Sequence, residues 1–296
     1  MTGDHITVCV CTYKRPAYLI RLMKALQEQV SDGLFTYSIV IVDNDRERSA
    51  ERVVADLEGM VPVPLRYNCE PEQNIALARN MAMAHATGNF IAFSDDDEVP
   101  ERNWLVSLYQ ACRKFRADGV LGPVLPLYEV EPPSWVVRGK FYERPSHATG
   151  EELTWKNTRT GNVLFRRALL LEGEDWFRPE FGSGGEDRDF FKRMIARGHR
   201  FVWCAEAPVR EVVPAERCTW SFMVRRAFLR GQLPHFKGND LLKSLVAVPV
   251  YSALLPVLLL CGRHLFMKFL IKNCDHIGRI FAFLGMPLIR EKYVVR

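Results

Sequence analysis

The sequence predicts an α/β fold in which a mostly parallel sheet is flanked by helices, with a helical tail at the C-terminus. Apolar runs that suit buried strands alternate with amphipathic helical segments over the first half of the chain. Acidic or polar residues follow these runs directly, and ligands of parallel sheets bind beyond the carboxyl ends of the strands. Residues 245–262 carry no charged side chain, which predicts the tail.

Each element of the first half has its own signal. Pro16 starts a helix that presents Leu19, Leu22, Met23 and Leu26 on one face. Strands are predicted at residues 6–11, 37–42, 65–67 and 90–93, and helices at residues 17–30, 50–58, 75–86 and 103–116. Because right-handed crossovers join such strands, we expect their carboxyl ends to meet at one edge of the sheet.

The second half is less regular. A strand is predicted at residues 120–125, and the Pro- and aromatic-rich residues 127–160 predict an irregular, substrate-facing insertion rather than a second domain. Strand character resumes at residues 160–165, and the small residues 182–185 precede a helix that starts near Glu186.

Three consecutive carboxylates, Asp95, Asp96 and Asp97, follow the predicted strand at residues 90–93. Adjacent like charges repel, and a divalent cation such as Mg²⁺ or Mn²⁺, which prefers hard oxygen ligands, would stabilise them. A solvated acidic turn is the alternative interpretation, since Pro100 follows soon after.

A second acidic position, Asp187, lies at the start of a predicted helix behind small residues. Helix capping is one interpretation, because acidic side chains are favoured in a first turn. The other is catalysis: displacement at a sugar carbon requires a cation on the departing diphosphate and a separate carboxylate that deprotonates the attacking hydroxyl.

Composition argues against several other classes of protein. The eight cysteines are scattered, and no pair of CxxC motifs or His/Cys cluster suggests zinc. The N-terminus lacks the layout of a signal peptide, so we expect reduced thiols in a cytoplasmic setting. The net charge of +5 is mild, and no nucleic-acid partner is expected.

Five motifs together resemble a family-2 glycosyltransferase of the GT-A fold over about residues 5–235. They are Cys11-Thr12-Tyr13-Lys14-Arg15-Pro16, Val42-Asp43-Asn44-Asp45, Asn74-Ile75-Ala76-Leu77-Ala78-Arg79-Asn80, Asp95-Asp96-Asp97-Glu98 and Gly184-Gly185-Glu186-Asp187. Within the family the chain is most similar to bacterial exopolysaccharide glucosyltransferases of the succinoglycan type. That narrower resemblance is carried by Leu121-Gly122-Pro123-Val124, Thr160-Gly161 and Val213-Pro214-Ala215-Glu216-Arg217.

The resemblance implies a role for each matched residue. Asp187 would be the general base, with Asp97, Asp95 and Glu211 as ligands of Mn²⁺ or Mg²⁺. Tyr13 would offer its ring to the nucleotide base. Asp43 would accept a hydrogen bond from the N–H of that base, which favours uracil. The nucleotide-sugar site would comprise Thr12, Tyr13, Arg15, Asp43, Arg79, Asp95, Asp96 and Asn162. The acceptor site would comprise Glu186, Gly185 and Trp135. Arg79 has an alternative as an exposed helix arginine.

Two departures from the family pattern matter. Arg210 stands where relatives often place a metal-binding histidine, so either Glu211 substitutes or Arg210 contacts phosphate itself. The Gln-x-x-Arg-Trp signature of processive synthases is missing, which implies single addition. Arg225, Arg226 and Arg230 would gather phosphates or form a solvated helix face.

The uncharged run at residues 245–262 is just long enough to span a bilayer core of about 30 Å. Pro249 and Pro256 interrupt this run, so a kinked or re-entrant helix is as plausible as a straight span, and a buried core helix is a further alternative. Residues 263–272 interleave apolar and cationic side chains, as in an interfacial helix on an anionic leaflet. We therefore expect membrane lipids as partners, at the cytoplasmic face of the inner membrane.

These expectations divide the chain into a GT-A domain, residues 1–236, and a membrane-associating tail, residues 237–296. Residues 1–126 would bind the nucleotide and residues 127–236 the acceptor. The expected reaction is inverting transfer of a sugar, glucose by resemblance, from a UDP-sugar to a polyprenyl-diphosphate-linked saccharide in exopolysaccharide or other surface-glycan biosynthesis. A metal-dependent nucleotidyltransferase acting on sugar phosphates is the alternative, although the loop after the first strand lacks glycine.

Overall fold

A computed structural model describes residues 3–59, 61–170, 176–182, 184–232, 238–286 and 288–289. Contacts between residues divide the chain into two units. The first comprises the chain up to Leu125 together with Arg144–Glu211. The second comprises Pro126–Glu143 and the described residues from Val212 to Ile289.

Strands and helices alternate as predicted through the first half. The strands are β1 (Asp4–Thr12), β2 (Phe35–Asp43), β3 (Leu65–Cys69), β4 (Phe90–Phe93), β5 (Glu98–Pro100), β6 (Gly119–Leu121), β7 (Val124–Tyr128), β8 (Val163–Arg166), β9 (Phe201–Trp203) and β10 (Val209–Val213). The helices are α1 (Pro16–Gln27), α2 (Glu51–Glu58), α3 (Ile75–His85), α4 (Trp104–Lys114), α5 (Ser134–Gly139), α6 (Glu186–Ala196), α7 (Trp220–Gly231), α8 (Gly238–Cys261) and α9 (Arg263–Phe283).

The central sheet of the first unit has seven strands in the order β3-β2-β1-β4-β8-β6-β9. Four neighbouring pairs are parallel, and only β8 runs antiparallel to its neighbours β4 and β6. The prediction of a mostly parallel sheet is confirmed. Buried apolar side chains cover both faces, as expected of a sheet packed between helices.

The register of the central strands brings distant residues to one edge. Thr12, the last residue of β1, pairs with Asp43, the last residue of β2. Cys9 of β1 pairs with Phe93, so the aspartates after β4 leave the sheet beside Thr12. Residues far apart in sequence therefore reach the same edge.

One predicted strand was wrong. Residues 120–125 form the end of β6 and the start of β7, separated by Gly122 and Pro123. A Cβ atom on Gly122 would lie 2.2 Å from the carbonyl oxygen of Ala207, so only glycine fits there. Pro123 has no N–H for a continuous ladder.

The second unit is mainly helical. Its core is a cluster of buried residues drawn from several segments: Trp135, Val136, Val213, Cys218, Met223 and Met267. Residues 126–143 and 212–232, which were predicted to belong to the catalytic domain, thus group with the tail helices. Pro249 and Pro256 both lie inside one continuous helix, α8, rather than interrupting it.

Contacts between α8 and α9 include polar pairs. The side-chain amide of Asn273 donates to the Ser252 hydroxyl at 3.0 Å, and Ser244 Oγ lies 3.0 Å from His276 Nδ1. By contrast, most large side chains of α8 face outward, and Leu241–Cys261 is long and apolar enough to cross a membrane.

Candidate active site

The acidic turn after β4 is organised by a carboxylate of its own, Glu98. Its Oε2 accepts hydrogen bonds from the Ser94 hydroxyl at 3.1 Å and from the Asp95 N–H at 3.0 Å. Glu98 is almost fully buried, and burial raises the pKa of its carboxyl well above the usual value. Glu98 therefore fixes the backbone from which the three aspartates project.

The three aspartates have different surroundings. Asp96 is buried and accepts hydrogen bonds from the Thr12 hydroxyl at 2.8 Å and from Arg15 Nη1 at 3.2 Å. Arg15 Nη1 also lies 3.4 Å from an Asp97 oxygen. The side chain of Asp95 is 49% exposed. Burial, only partly offset by Arg15, raises the pKa of Asp96 to about 7. Four residues predicted from two separate motifs therefore meet here.

Arg79 connects this turn to the helix that carries the predicted base. Asn74 caps α3 by accepting from the N–H groups of Ala76 and Leu77, and Arg79 follows one turn later. Arg79 is buried, so the alternative of an exposed helix arginine was wrong. Its guanidinium pairs with Glu186 and lies 3.6 Å from Asp95. These anions hold the pKa of Arg79 above its usual value against the effect of burial.

The first turn of α6 separates two adjacent carboxylates. Gly184 and Gly185 have φ values of +131° and +97°, a region that favours glycine, and they lead the chain into the helix. Glu186 is buried, and burial raises the pKa of its carboxyl to about 7 although Arg79 pairs with it. Asp187 is partly exposed, and its Oδ1 accepts from the Arg188 N–H at 2.6 Å. Of the two, Asp187 is the accessible carboxylate.

Asp43 is held by contacts within the protein. It is fully buried, and its Oδ2 accepts from the Ala50 N–H at 2.7 Å and from the Tyr67 hydroxyl at 3.1 Å. Its Oδ1 accepts from the Asp45 N–H at 3.2 Å. The carboxylate thus holds the loop after β2, and its contact with a nucleotide base stays a prediction.

Asn162 is likewise engaged within the protein. It is fully buried, with a φ of +57°. Its side-chain oxygen accepts from the Trp104 indole at 2.7 Å, and its amide nitrogen donates to the carbonyls of Pro123 and Ala207, each at 2.8 Å. These bonds fix the segment before β8, and a contact of Asn162 with the donor sugar stays a prediction.

The predicted metal ligands are brought together only in part. Glu211, at 14% side-chain exposure, pairs with Arg144, and Arg210 pairs with Glu101 at 3.3 Å. Among the residues that the structure describes, no group of three or more His, Cys, Asp or Glu side chains forms a ligand set. Asp95 and Asp97 nevertheless fit a cation of the Mg²⁺ or Mn²⁺ type, because such ions are often held by one or two carboxylates plus substrate phosphates.

Three further predicted residues have distinct positions. Tyr13 is partly exposed after β1, with Lys14 Nζ 5.4 Å from its ring centre. Gly185 precedes α6. Trp135 belongs to the second unit, where it is buried edge-to-face against Phe141 and Trp220. Its contacts are those of a core residue.

Sequence reasoning missed two arginines, Arg144 and Arg159. Arg144 is the partner of Glu211. Arg159 stands two residues before Gly161, where a Cβ atom would lie 2.6 Å from Glu98 Oε1 and 2.9 Å from Asp95 Oδ2. The Thr160-Gly161 motif was the available signal, because it marks a segment that approaches the acidic turn.

Comparison with known proteins identifies a family. The model of the Glycosyl transferase family 2 matches residues 7–171. The chain is 37% identical over 234 residues to the succinoglycan biosynthesis protein ExoM of Rhizobium meliloti (strain 1021), covering 77% of this chain and 73% of that protein. It is 28% identical over 243 residues to the glucosyl-dolichyl phosphate glucuronosyltransferase of Haloferax volcanii, covering 76% and 75% of the two chains.

A solved structure agrees with the fold. The crystal structure of S. aureus TarS 1–349 in complex with UDP-GlcNAc aligns with a TM-score of 0.56 at 15% identity, covering 95% of this chain and 92% of that one. The structure of GalNAc-T7 with UDP, GalNAc and Mn²⁺ aligns with a TM-score of 0.53 at 15% identity, covering 75% and 47%. The predicted GT-A fold is confirmed.

Proposed function

Because the chain belongs to glycosyl transferase family 2, we propose that it transfers a sugar from a UDP-sugar to a hydroxyl of a polyprenyl-diphosphate-linked saccharide. The observation that carries this proposal is the arrangement of two acidic sites bridged by Arg79, which pairs with Asp95 on one side and Glu186 on the other. Family membership decides against the nucleotidyltransferase alternative, which lacks any observation in its favour.

The donor would lie at the carboxyl edge of β1 and β4. Asp97 and Asp95 would hold a divalent cation, which when bound neutralises charge that develops on the departing diphosphate. Arg15 holds the carboxylates of Asp96 and Asp97 in place. Thr12 fixes Asp96 from the end of β1. Tyr13 would contribute its partly exposed ring to the nucleotide base.

Asp187 would act as the general base. Its carboxylate would take the proton of the acceptor hydroxyl while the hydroxyl oxygen forms a bond to the anomeric carbon. The bond from that carbon to the diphosphate oxygen breaks in the same displacement, so the anomeric configuration inverts. Glu186 would not hold the acceptor directly, since it is buried against Arg79. Its pairing would fix the first turn of α6 and so orient Asp187.

The acceptor proposal draws on the second unit and on the relatives. Outward-facing leucines and valines of α8 and the exposed cations Arg263, Lys268 and Lys272 of α9 suit an anionic membrane surface. One relative is named as a glucuronosyltransferase of glucosyl-dolichyl phosphate, and another as a succinoglycan biosynthesis protein. The first of these names supports a lipid-linked acceptor, and the second supports an exopolysaccharide pathway. We place the reaction at the cytoplasmic membrane face, with glucose as the first sugar to test.

Product analysis tests the function. The full chain is incubated in detergent with Mn²⁺, a panel of UDP-sugars and polyprenyl-diphosphate-linked saccharides, and UDP release is followed alongside the lipid product. We expect stoichiometric UDP release and a product of inverted anomeric configuration by NMR. Retained configuration would contradict the single displacement, and release of inorganic diphosphate with formation of a nucleotide sugar would contradict the reaction class.

A further inference from the structure

Arg15, Arg79, Arg144 and Arg159 lie near the acidic turn after β4 or the start of α6, and Arg159 differs from the other three in its contacts. Three are paired with carboxylates of the protein: Arg15 with Asp96 and Asp97, Arg79 with Glu186 and Asp95, and Arg144 with Glu211. Arg159 has no carboxylate at ion-pair distance among the described residues. Its Nε is buried and has no hydrogen-bond partner.

The position of Arg159 relates it to the site. Gly161, two residues later, approaches the carboxylates of Glu98 and Asp95 so closely that a Cβ atom would clash with both. The guanidinium carbon of Arg159 lies 5.9 Å from the ring centre of Trp203, in a cation–π contact. Four charged groups act on Arg159: Arg144, Glu98 of the acidic turn, Glu211 of β10 and Asp187 of α6.

The surroundings leave part of this guanidinium unpaired. Arg159 is partly exposed, but its Nε is buried and has no hydrogen-bond partner. Burial, followed by the positive charge of Arg144, lowers the pKa of Arg159 to about 10. The nearby carboxylates have other partners: Glu98 Oε2 accepts from Ser94 and the Asp95 N–H, Glu211 pairs with Arg144, and Asp187 Oδ1 accepts from the Arg188 N–H. A buried donor without an acceptor is unfavourable, and an anion from outside the chain that reaches Nε would remove that cost.

We propose that Arg159 binds an anionic oxygen of the sugar donor. The planar fork of the guanidinium suits a phosphate or carboxylate group, each of which accepts two parallel hydrogen bonds. Such an oxygen has two sources in a UDP-sugar, the diphosphate itself or a carboxylate on the transferred sugar. The inference rests on the proposed function, because it assumes a nucleotide-diphosphate donor at this site.

The test measures binding by calorimetry on the full-length protein in detergent with Mn²⁺, for the wild type, Arg159→Gln, Arg159→Lys and Arg200→Gln. The ligands are UMP, UDP, UDP-glucose and UDP-glucuronate. Arg200→Gln is the matched control, since Arg200 carries the same charge in the same unit but forms an exposed pair with Glu152 and has no role in the proposed donor site. We expect Arg200→Gln to change every affinity by less than about twofold, because exposed pairs contribute little.

Two results support the proposal and identify the source of the anion. A loss of roughly 10- to 100-fold in UDP affinity for Arg159→Gln, with UMP affinity unchanged, assigns the β-phosphate. Unchanged UDP affinity with a loss of the same size confined to UDP-glucuronate assigns a sugar carboxylate. Arg159→Lys keeps the positive charge but not the planar fork, so we expect it to lose about 3- to 10-fold in affinity for the same ligand. This variant decides the question if Arg159→Gln does not fold.

Other results overturn it. If the wild type binds UDP and neither Arg159 variant loses affinity for any ligand, Arg159 serves only packing against Trp203 and the inference fails alone. Equal losses in Arg159→Gln and Arg200→Gln would indicate a general effect of net charge and would also refute it. If the wild type itself does not bind UDP, the proposed function fails, and the inference fails with it.

Discussion

The acidic site of the first unit and the α8–α9 helices of the second depart from the usual distribution of residues in opposite directions. In the acidic site, charged side chains such as Arg79, Asp96 and Glu186 are buried. In α8, large apolar side chains are exposed, with Leu260 at 90% and Val246 at 66%. Charged residues are almost never fully buried unless paired, and extended exposed apolar patches mark interaction surfaces.

The contrast indicates what each region needs from its environment. Buried carboxylates raise one another's free energy, and pairing with Arg15, Arg79 and Arg144 leaves the acidic turn ready for a cation and an anionic ligand. Exposed leucines and valines lower their free energy only when an apolar phase covers them. The first unit therefore suits a polar ligand, and the second suits an apolar surface. Variants in the two units test these two expectations separately.

The largest effect is expected at Asp187. Asp187→Asn should lower transfer by about 10³-fold or more, because positioned general bases contribute roughly 10²–10⁴. UDP affinity should stay within about twofold, since Asp187 is not among the residues proposed to hold the diphosphate. Initial rates of UDP release and calorimetry on the same preparation provide the two measurements.

Asp189→Asn is the matched control for the base. Asp189 lies in the same helical turn, but its carboxylate pairs with Arg193 and Arg178. We expect a loss of transfer of less than about fivefold. Near-normal turnover of Asp187→Asn, or equal losses in the two variants, would contradict the base assignment.

The next effect concerns the buried ion pair. Arg79→Met should lower the free energy of unfolding by about 3–5 kcal/mol, because it leaves the buried Glu186 without its counter-charge. Arg210→Met removes an exposed pair and should change it by less than about 1 kcal/mol. Urea unfolding followed by tryptophan fluorescence in detergent measures both. Equal changes would show that burial does not set the strength of the Arg79 pair.

Membrane binding tests the other side of the contrast. Changing Val246 and Leu260 together to Glu should weaken sedimentation with anionic vesicles by roughly 10²-fold, because burying each apolar side chain contributes about 1.5–3 kcal/mol. Leu34→Glu is the control, since Leu34 is 43% exposed in the first unit. It should leave vesicle binding unchanged. Full sedimentation of the double variant would contradict a membrane role for α8.

The smallest effect is a dependence of stability on pH. The pKa of Glu186 is raised from 4.5 to about 7 in the folded protein, so between these values the folded state binds more protons than the unfolded state. The free energy of unfolding of the wild type, relative to Glu186→Gln, should therefore fall by about 2 kcal/mol as pH rises from 4.5 to 7 and level off above that. Urea unfolding of both proteins across this range measures the difference, and a rise with pH would contradict it.

The parts of the molecule that depend on local sequence were predictable. The alternation of strands and helices, the aspartates after β4 and the glycines before α6 follow from apolar patterning and backbone chemistry. The β6–β7 break was missed because the clash at Gly122 involves Ala207, which is remote in sequence. The prolines of α8 suggested interruption, yet the helix continues through both.

The environment of each site residue was less predictable. Asp43 and Asn162 match the family motifs. In the folded chain, however, Asp43 accepts a hydrogen bond from the Ala50 N–H, and Asn162 accepts one from the Trp104 indole. Glu211 matched a metal position, and Arg144 from the insertion neutralises it. Such pairings join residues far apart in the chain, so no local pattern specifies them.

A cation-dependent UDP site at the acidic turn is tested by calorimetric binding of UDP, against GDP and dTDP, with and without Mn²⁺, to the wild type and to Asp97→Ala. We expect binding that is selective for UDP, requires Mn²⁺ and is lost in Asp97→Ala. Equal binding without Mn²⁺ in both proteins would contradict a cation at the acidic turn, and absence of UDP binding to the wild type would contradict the proposed donor.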